Sequence, residues 1–201
     1  MATTSKTLIA NLALSHIHDK GIIENVETEK SAQARAANLW YDPARRQALA
    51  DFDYGFARKR LALSTHGKDP PAEWGYRYQY PSDCVSPRRI ENPLGRRQLA
   101  VPFEIEQADD GTMSILVDHQ DAVLVYTRDA LDPAFFTPHF VLALSYLLAH
   151  YIAGPLTGKN SIKDDMIVKY NTASNVGAAH EANATAAGTD GSLEAPWIRG
   201  R

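Results

Sequence analysis

The sequence predicts an α+β protein, mainly α: an antiparallel helix bundle with a small inserted antiparallel β-sheet and an extended C-terminal arm. Three observations predict it. Apolar residues recur at helical spacing near the start of the chain and again over residues 140–152. The middle third changes to short runs separated by turn signals. Beyond Tyr170 large apolar side chains become sparse. These shifts place the helical core in residues 1–64 and 128–187, the inserted sheet in 65–127 and the arm in 188–201.

The bulk numbers support a folded chain. At 201 residues with 44% hydrophobic and 22% charged content, it has neither the composition of a disordered chain nor the bias of a collagen or coiled coil. A formal charge of -3 supplies no global basic field, so a nucleic-acid partner would have to meet local patches. Cys84 stands alone, which rules out an intrachain disulfide and a cysteine-based zinc cluster and fits folding in a reducing cytosol. No charged n-region followed by an apolar h-region opens the chain, so no secretory signal is expected. The stretch 140–152 is shorter than the roughly twenty residues that cross a bilayer, and reads as a buried helix.

The first helix is expected over residues 4–19, from Leu8, Ile9, Leu12 and Ile17 behind Thr3, Thr4 and Ser5 as N-cap candidates, with Gly21 stopping it. A second is signalled by Ser31 and runs through Ala32, Ala37, Leu39, Ala44 and Leu49 to Phe52. Pro43 should kink or divide it near Tyr41 and Asp42. Residues 74–80 alternate aromatic and polar side chains as a half-buried strand does. Short strands are expected at 85–91, 101–106, 113–117 and 122–126. Asp110-Gly111 between the second and third of these is the strongest hairpin signal. The helix over 140–152 is apolar nearly all round, which implies burial on several sides, with Gly154-Pro155 ending it. A last helix, alanine-rich, is expected over 161–187, with Met166, Ile167 and Tyr170 as its stripe.

Catalytic and metal signatures are weak. His16 and His18 lie two apart, on different faces of a helix, and His180-Glu181 has no second histidine at zincin spacing. No nucleophile elbow, Walker loop or dinucleotide fingerprint occurs. Asp83 beside Cys84 disfavours a thiolate. The expectation is therefore no enzyme, no metal and no cofactor; an envelope hydrolase would need a carboxylate pair that spacing does not locate. Arg88, Arg89, Arg96 and Arg97 flank the turn at 93–95 and form the densest basic patch, read either as a solvated hairpin tip or as a contact for DNA phosphates or an acidic partner. Arg58, Lys59 and Arg60 read as helix-end charge.

Two segments carry a family likeness. The run Trp74-Gly75-Tyr76-Arg77-Tyr78-Gln79-Tyr80-Pro81-Ser82-Asp83-Cys84 is one. The other is Tyr126-Thr127 to Asp132-Pro133-Ala134-Phe135-Phe136, leading into Ala143-Leu144-Ser145-Tyr146-Leu147-Leu148-Ala149 and Ile152-Ala153-Gly154-Pro155-Leu156-Thr157-Gly158. Together, with the order of the two opening helices, they resemble the head-to-tail adaptor proteins of tailed bacteriophages, a family that includes tail tubular protein A.

The resemblance implies a virion structural protein in the neck between capsid and tail, made in the host cytoplasm. It implies a homo-oligomeric ring, usually of twelve copies, beneath the portal protein. Such a ring helps retain packaged double-stranded DNA, which passes through its lumen, and forms the platform for the next tail or nozzle protein. On this reading Trp197, Ile198, Arg199 and Arg201 are the portal-docking residues of the arm, and Phe140, Leu144, Leu148 and Tyr151 pack subunits together. No membrane partner is expected. The alternative is a small DNA-associated protein that uses the 88–97 patch.

Overall fold

The computed structural model describes residues 4–91, 100–108 and 111–187. Among the described residues it is a mainly α, α+β chain with four α-helices and two small antiparallel sheets. Two compact units divide it: Met1–Ala44 with Ala134–Arg201, and Arg45–Pro133. The first division falls earlier than the residue 64 boundary read from composition. Residues at the end of the second helix bond to strands of the sheet unit and so belong with them.

In the helical unit, α1 (Lys6–His16) starts at Ser5, whose hydroxyl accepts from the Leu8 N–H at 3.1 Å. It buries Ile9, Ala10, Ala13 and Leu14. It ends before Gly21, because His18 takes a left-handed φ of 61° and turns the chain away. The following loop is clamped by Asn11, which donates to Ile23 O at 2.9 Å and accepts from Ile23 N at 2.8 Å. Helix α2 (Ala32–Asp51) is capped by Ser31, whose Oγ accepts from Ala34 N. It runs through Pro43 undivided, contrary to the expected break, with the proline on its exposed side.

Helix α3 (Pro138–Thr157) places Pro138 in its first turn after a Thr137 cap. It continues through Gly154-Pro155 and stops at Gly158, where φ is 65° and the N–H bonds back to Gly154 O at 3.0 Å. Helix α4 (Asn160–Ala187) follows after that short link. The contacts along the pair are antiparallel: His139 meets His180 with ring centroids 4.5 Å apart, while the His150 Nδ1–H donates to Lys163 O at 2.9 Å. Helix α1 crosses α3 where the His16 ring stacks on Tyr146 at 4.2 Å and its Nε2 lies 3.0 Å from Ser145 Oγ.

The sheet unit holds two three-stranded sheets where a single one was expected. One has the order β1 (Arg58–Ala62), β6 (Val123–Arg128), β3 (Cys84–Ile90); the other β2 (Tyr76–Gln79), β5 (Met113–Val117), β4 (Glu104–Gln107). All pairings are antiparallel, with Ile105 opposite Ile115 and Tyr78 opposite Ile115 from the other side. Alternate residues of both sheets, Leu124 and Tyr126 from one, Ile115 and Val117 from the other, meet in one core with Leu63, Tyr78, Cys84 and Ile90. Strand β1 replaces the helix end expected at Arg58-Lys59-Arg60. It is an edge strand with charged side chains, a common guard against further pairing.

Candidate functional site

The basic patch does not form a single cationic surface among the described residues. Pro87 and Arg89 oppose Tyr126 and Val125 in the β3–β6 ladder, and the register shifts between them, so Arg88 is the extra residue of a bulge. The edge position also tolerates Pro87, which has no N–H to give. The bulge re-aims Arg88. Its Nη2 donates to Leu49 O at 2.8 Å and Phe52 O at 2.7 Å, and its Nε to Thr127 Oγ1 at 2.8 Å. Carbonyls at the end of α2 are thereby satisfied by a side chain from a strand. Burial pulls the Arg88 proton affinity down, and the nearby Asp53 carboxylate opposes that shift.

This corrects the expectation for Arg88: its guanidinium closes a helix end and has little left for DNA. Arg89 is exposed. Arg96 and Arg97 lie outside the described residues. The second basic run is neutralised locally. Arg58 pairs with Asp53 at 3.0 Å, Lys59 with Asp83 at 2.8 Å and Arg60 with Glu91 at 3.1 Å.

The residues expected to pack subunits together are placed differently. Phe140, Leu144 and Leu148 are fully buried within the chain itself. Phe140 meets Phe136 edge-on at 4.8 Å, and Tyr151, half-buried, stacks on Trp40 at 4.8 Å with the rings nearly parallel. A neighbour cannot reach the three buried side chains, so they hold the bundle and not an interface. The all-round apolar pattern of α3 is answered by its own bundle.

An exposed groove of about 320 Å³ lies between α3 and α4. Leu142, Val168 and Val176 line it at 43%, 62% and 50% exposure, with Tyr146, Ala173 and Thr172 on its floor and walls, and His139 and Lys169 as its polar members. Lys169 pairs with Asp165 at 2.7 Å, which holds its charge to one side. The expected apolar stripe of this helix was Met166, Ile167 and Tyr170, with large apolar residues sparse beyond it, so the groove was not anticipated. The signal present was Val168 and Val176, two turns apart on one helix face.

The docking residues Trp197, Ile198, Arg199 and Arg201 lie outside the described residues, as does Asp110 of the hairpin signal. Cys84 is buried in the sheet core, and burial pushes its thiol up, so it is a core side chain and a poor nucleophile. Among the described residues no three His, Cys, Asp or Glu side chains converge as metal ligands. No protein-family model matches the chain, and no curated protein matches it in sequence.

Proposed function

We propose that this protein is a virion structural protein, a head-to-tail adaptor that assembles as a ring beneath the portal, helps retain packaged DNA and carries the next tail component. It is proposed to work by contact, without an active site or cofactor. The observation that carries the reading is the α3–α4 groove, whose exposed Leu142, Val168 and Val176 form an apolar strip on the helical unit. Such a strip favours burial against a neighbour, and the ring supplies one in every adjacent copy. The family likeness of residues 74–84 and 126–158 supplies the identity of the ring.

The test is to mix the full chain with a purified portal ring and image the product by electron microscopy. The reading expects a second ring of subunits on the portal, absent when the chain is truncated after Ala187. Failure of the full chain to bind the portal overturns it. The DNA-associated reading loses support from the geometry of Arg88 and rests on Arg89 alone among the described residues. Salt-dependent DNA binding that disappears in Arg89→Glu would restore it.

A further inference from the structure

A second cavity, in the sheet unit, is independent of the groove. It measures about 420 Å³ and is lined by His66, Gln79, Tyr80, Ser82, Thr112 and Met113. It opens where β2 ends and β5 begins, beside the bond from Tyr80 N to Met113 O. Its size falls within the range of small-molecule sites, which pair apolar walls with a few convergent polar groups.

A few polar groups face the cavity from a largely apolar described wall. His66 accepts the Lys68 N–H on Nδ1 at 3.2 Å, which leaves the proton of the neutral ring on Nε2, 3.0 Å from Thr112 Oγ1. Tyr80 stays protonated, because burial and its bond to Cys84 push the phenol well above its ordinary range. Neither a carboxylate nor an ammonium lines the cavity among the described residues. The described lining thus offers no ammonium to pair an anion and no carboxylate to pair a cation.

We propose that this cavity binds a neutral, hydroxyl-rich sugar ring. The Gln79 amide offers two donors and an acceptor, and the Ser82 hydroxyl one donor and two acceptors, a set that matches vicinal hydroxyls. Tyr80 and the Met113 thioether supply the apolar wall against which the C–H face of a pyranose packs. A nucleoside has comparable size, but its heterocycle gains most from aromatic stacking, and among the described residues of the wall Tyr80 is the single tyrosine, phenylalanine or tryptophan. The proposal is of binding alone: glycoside hydrolysis needs a pair of carboxyl groups, and the described lining contains none.

The full chain, labelled with ¹⁵N, is titrated to about 10 mM with methyl glucoside, methyl galactoside, N-acetylglucosamine and, separately, adenosine and cytidine, at affinities for which millimolar binding is about 4 kcal/mol. Saturable shifts at the amides of residues 79, 80, 82, 112 and 113 with at least one sugar are expected. Gln79→Ala and Ser82→Ala, both at exposed positions that leave the core intact, should each weaken binding several-fold to roughly tenfold. If a variant fails to fold by circular dichroism, the other decides. Absence of saturable shifts with every sugar, shifts confined to other residues, or binding of a nucleoside alone overturns the proposal.

Discussion

Arg88 and Phe52 join a strand to the end of a helix: the guanidinium of the first donates to the carbonyl of the second at 2.7 Å, with Leu49 O and Thr127 Oγ1 as its other acceptors. Thr127 is fully buried, so its hydroxyl has no water to fall back on. Arg88→Ala is expected to lower stability by about 2–3 kcal/mol, because three acceptors lose a charged donor at once. Arg88→Lys should recover little, since an ammonium lacks the planar fork. Arg89→Ala should stay within about 0.5 kcal/mol, as exposed substitutions do. Urea unfolding of the three variants reads the difference.

Arg45 is 2% exposed and pairs with Asp129 while its Nη1 also donates to Ala130 O at 2.8 Å. Removing the carboxylate takes a counter-charge from a buried guanidinium. Asp129→Ala is expected to cost about 3 kcal/mol, and Arg45→Met in the same chain should recover part of it by taking the charge away. A double-mutant cycle by chemical denaturation gives the coupling.

Burial, and then the nearby Lys169 charge, lower the His16 pKa below its ordinary value. The unfolded chain therefore takes up a proton at His16 at a higher pH than the folded one. Stability contributed by the neutral ring is full above the unfolded pKa of about 6.5 and is lost as pH falls through that value toward the lowered folded one. Unfolding midpoints measured from about pH 8 to pH 5 should fall, and the fall should be smaller in His16→Asn.

Groove and core residues on the same helix pair should separate cleanly. Val168→Lys and Val176→Glu alter side chains that are half exposed or more, and are expected to leave the unfolding midpoint nearly unchanged while abolishing ring assembly on a portal. Phe140→Ala removes a ring with no exposure and is expected to cost about 3–5 kcal/mol. Electron microscopy and thermal unfolding on the same samples distinguish the two effects.

Gly158 is the left-handed residue that stops α3, and open space surrounds the position its Cβ would take. Gly158→Ala is thus a test of backbone conformation alone, with an expected loss of about 1 kcal/mol; Gly158→Asn should lose less. Chemical denaturation measures both.

Local patterns were legible where local chemistry decides. Strand β5 spans Met113–Val117, the bounds expected for the short run after the Asp110-Gly111 turn signal, and Ser31 and Thr137 open helices with their own hydroxyls. Strand β1 was not legible, because Arg58-Lys59-Arg60 shows no alternation and becomes a strand only by pairing with β6, more than sixty residues later. Pro43 and Pro155 were read as breaks, yet each lies within a continuous helix held by tertiary packing. The basic patch read as one cluster because sequence cannot display the carbonyls of α2 that claim Arg88. The apolar run around Phe140 correctly announced burial, but the partners were α1 and α4 of the same chain.

The ion pairs along β1 bear on how any polyanion would experience this surface. Arg58, Lys59 and Arg60 each stand beside a carboxylate from outside the strand, so the run presents three short dipoles in place of a triple positive charge. A dipole's field fades faster with distance than a charge's, and at physiological salt little of it extends past about 8 Å. DNA moving past this edge would be neither drawn in nor held back until it touched.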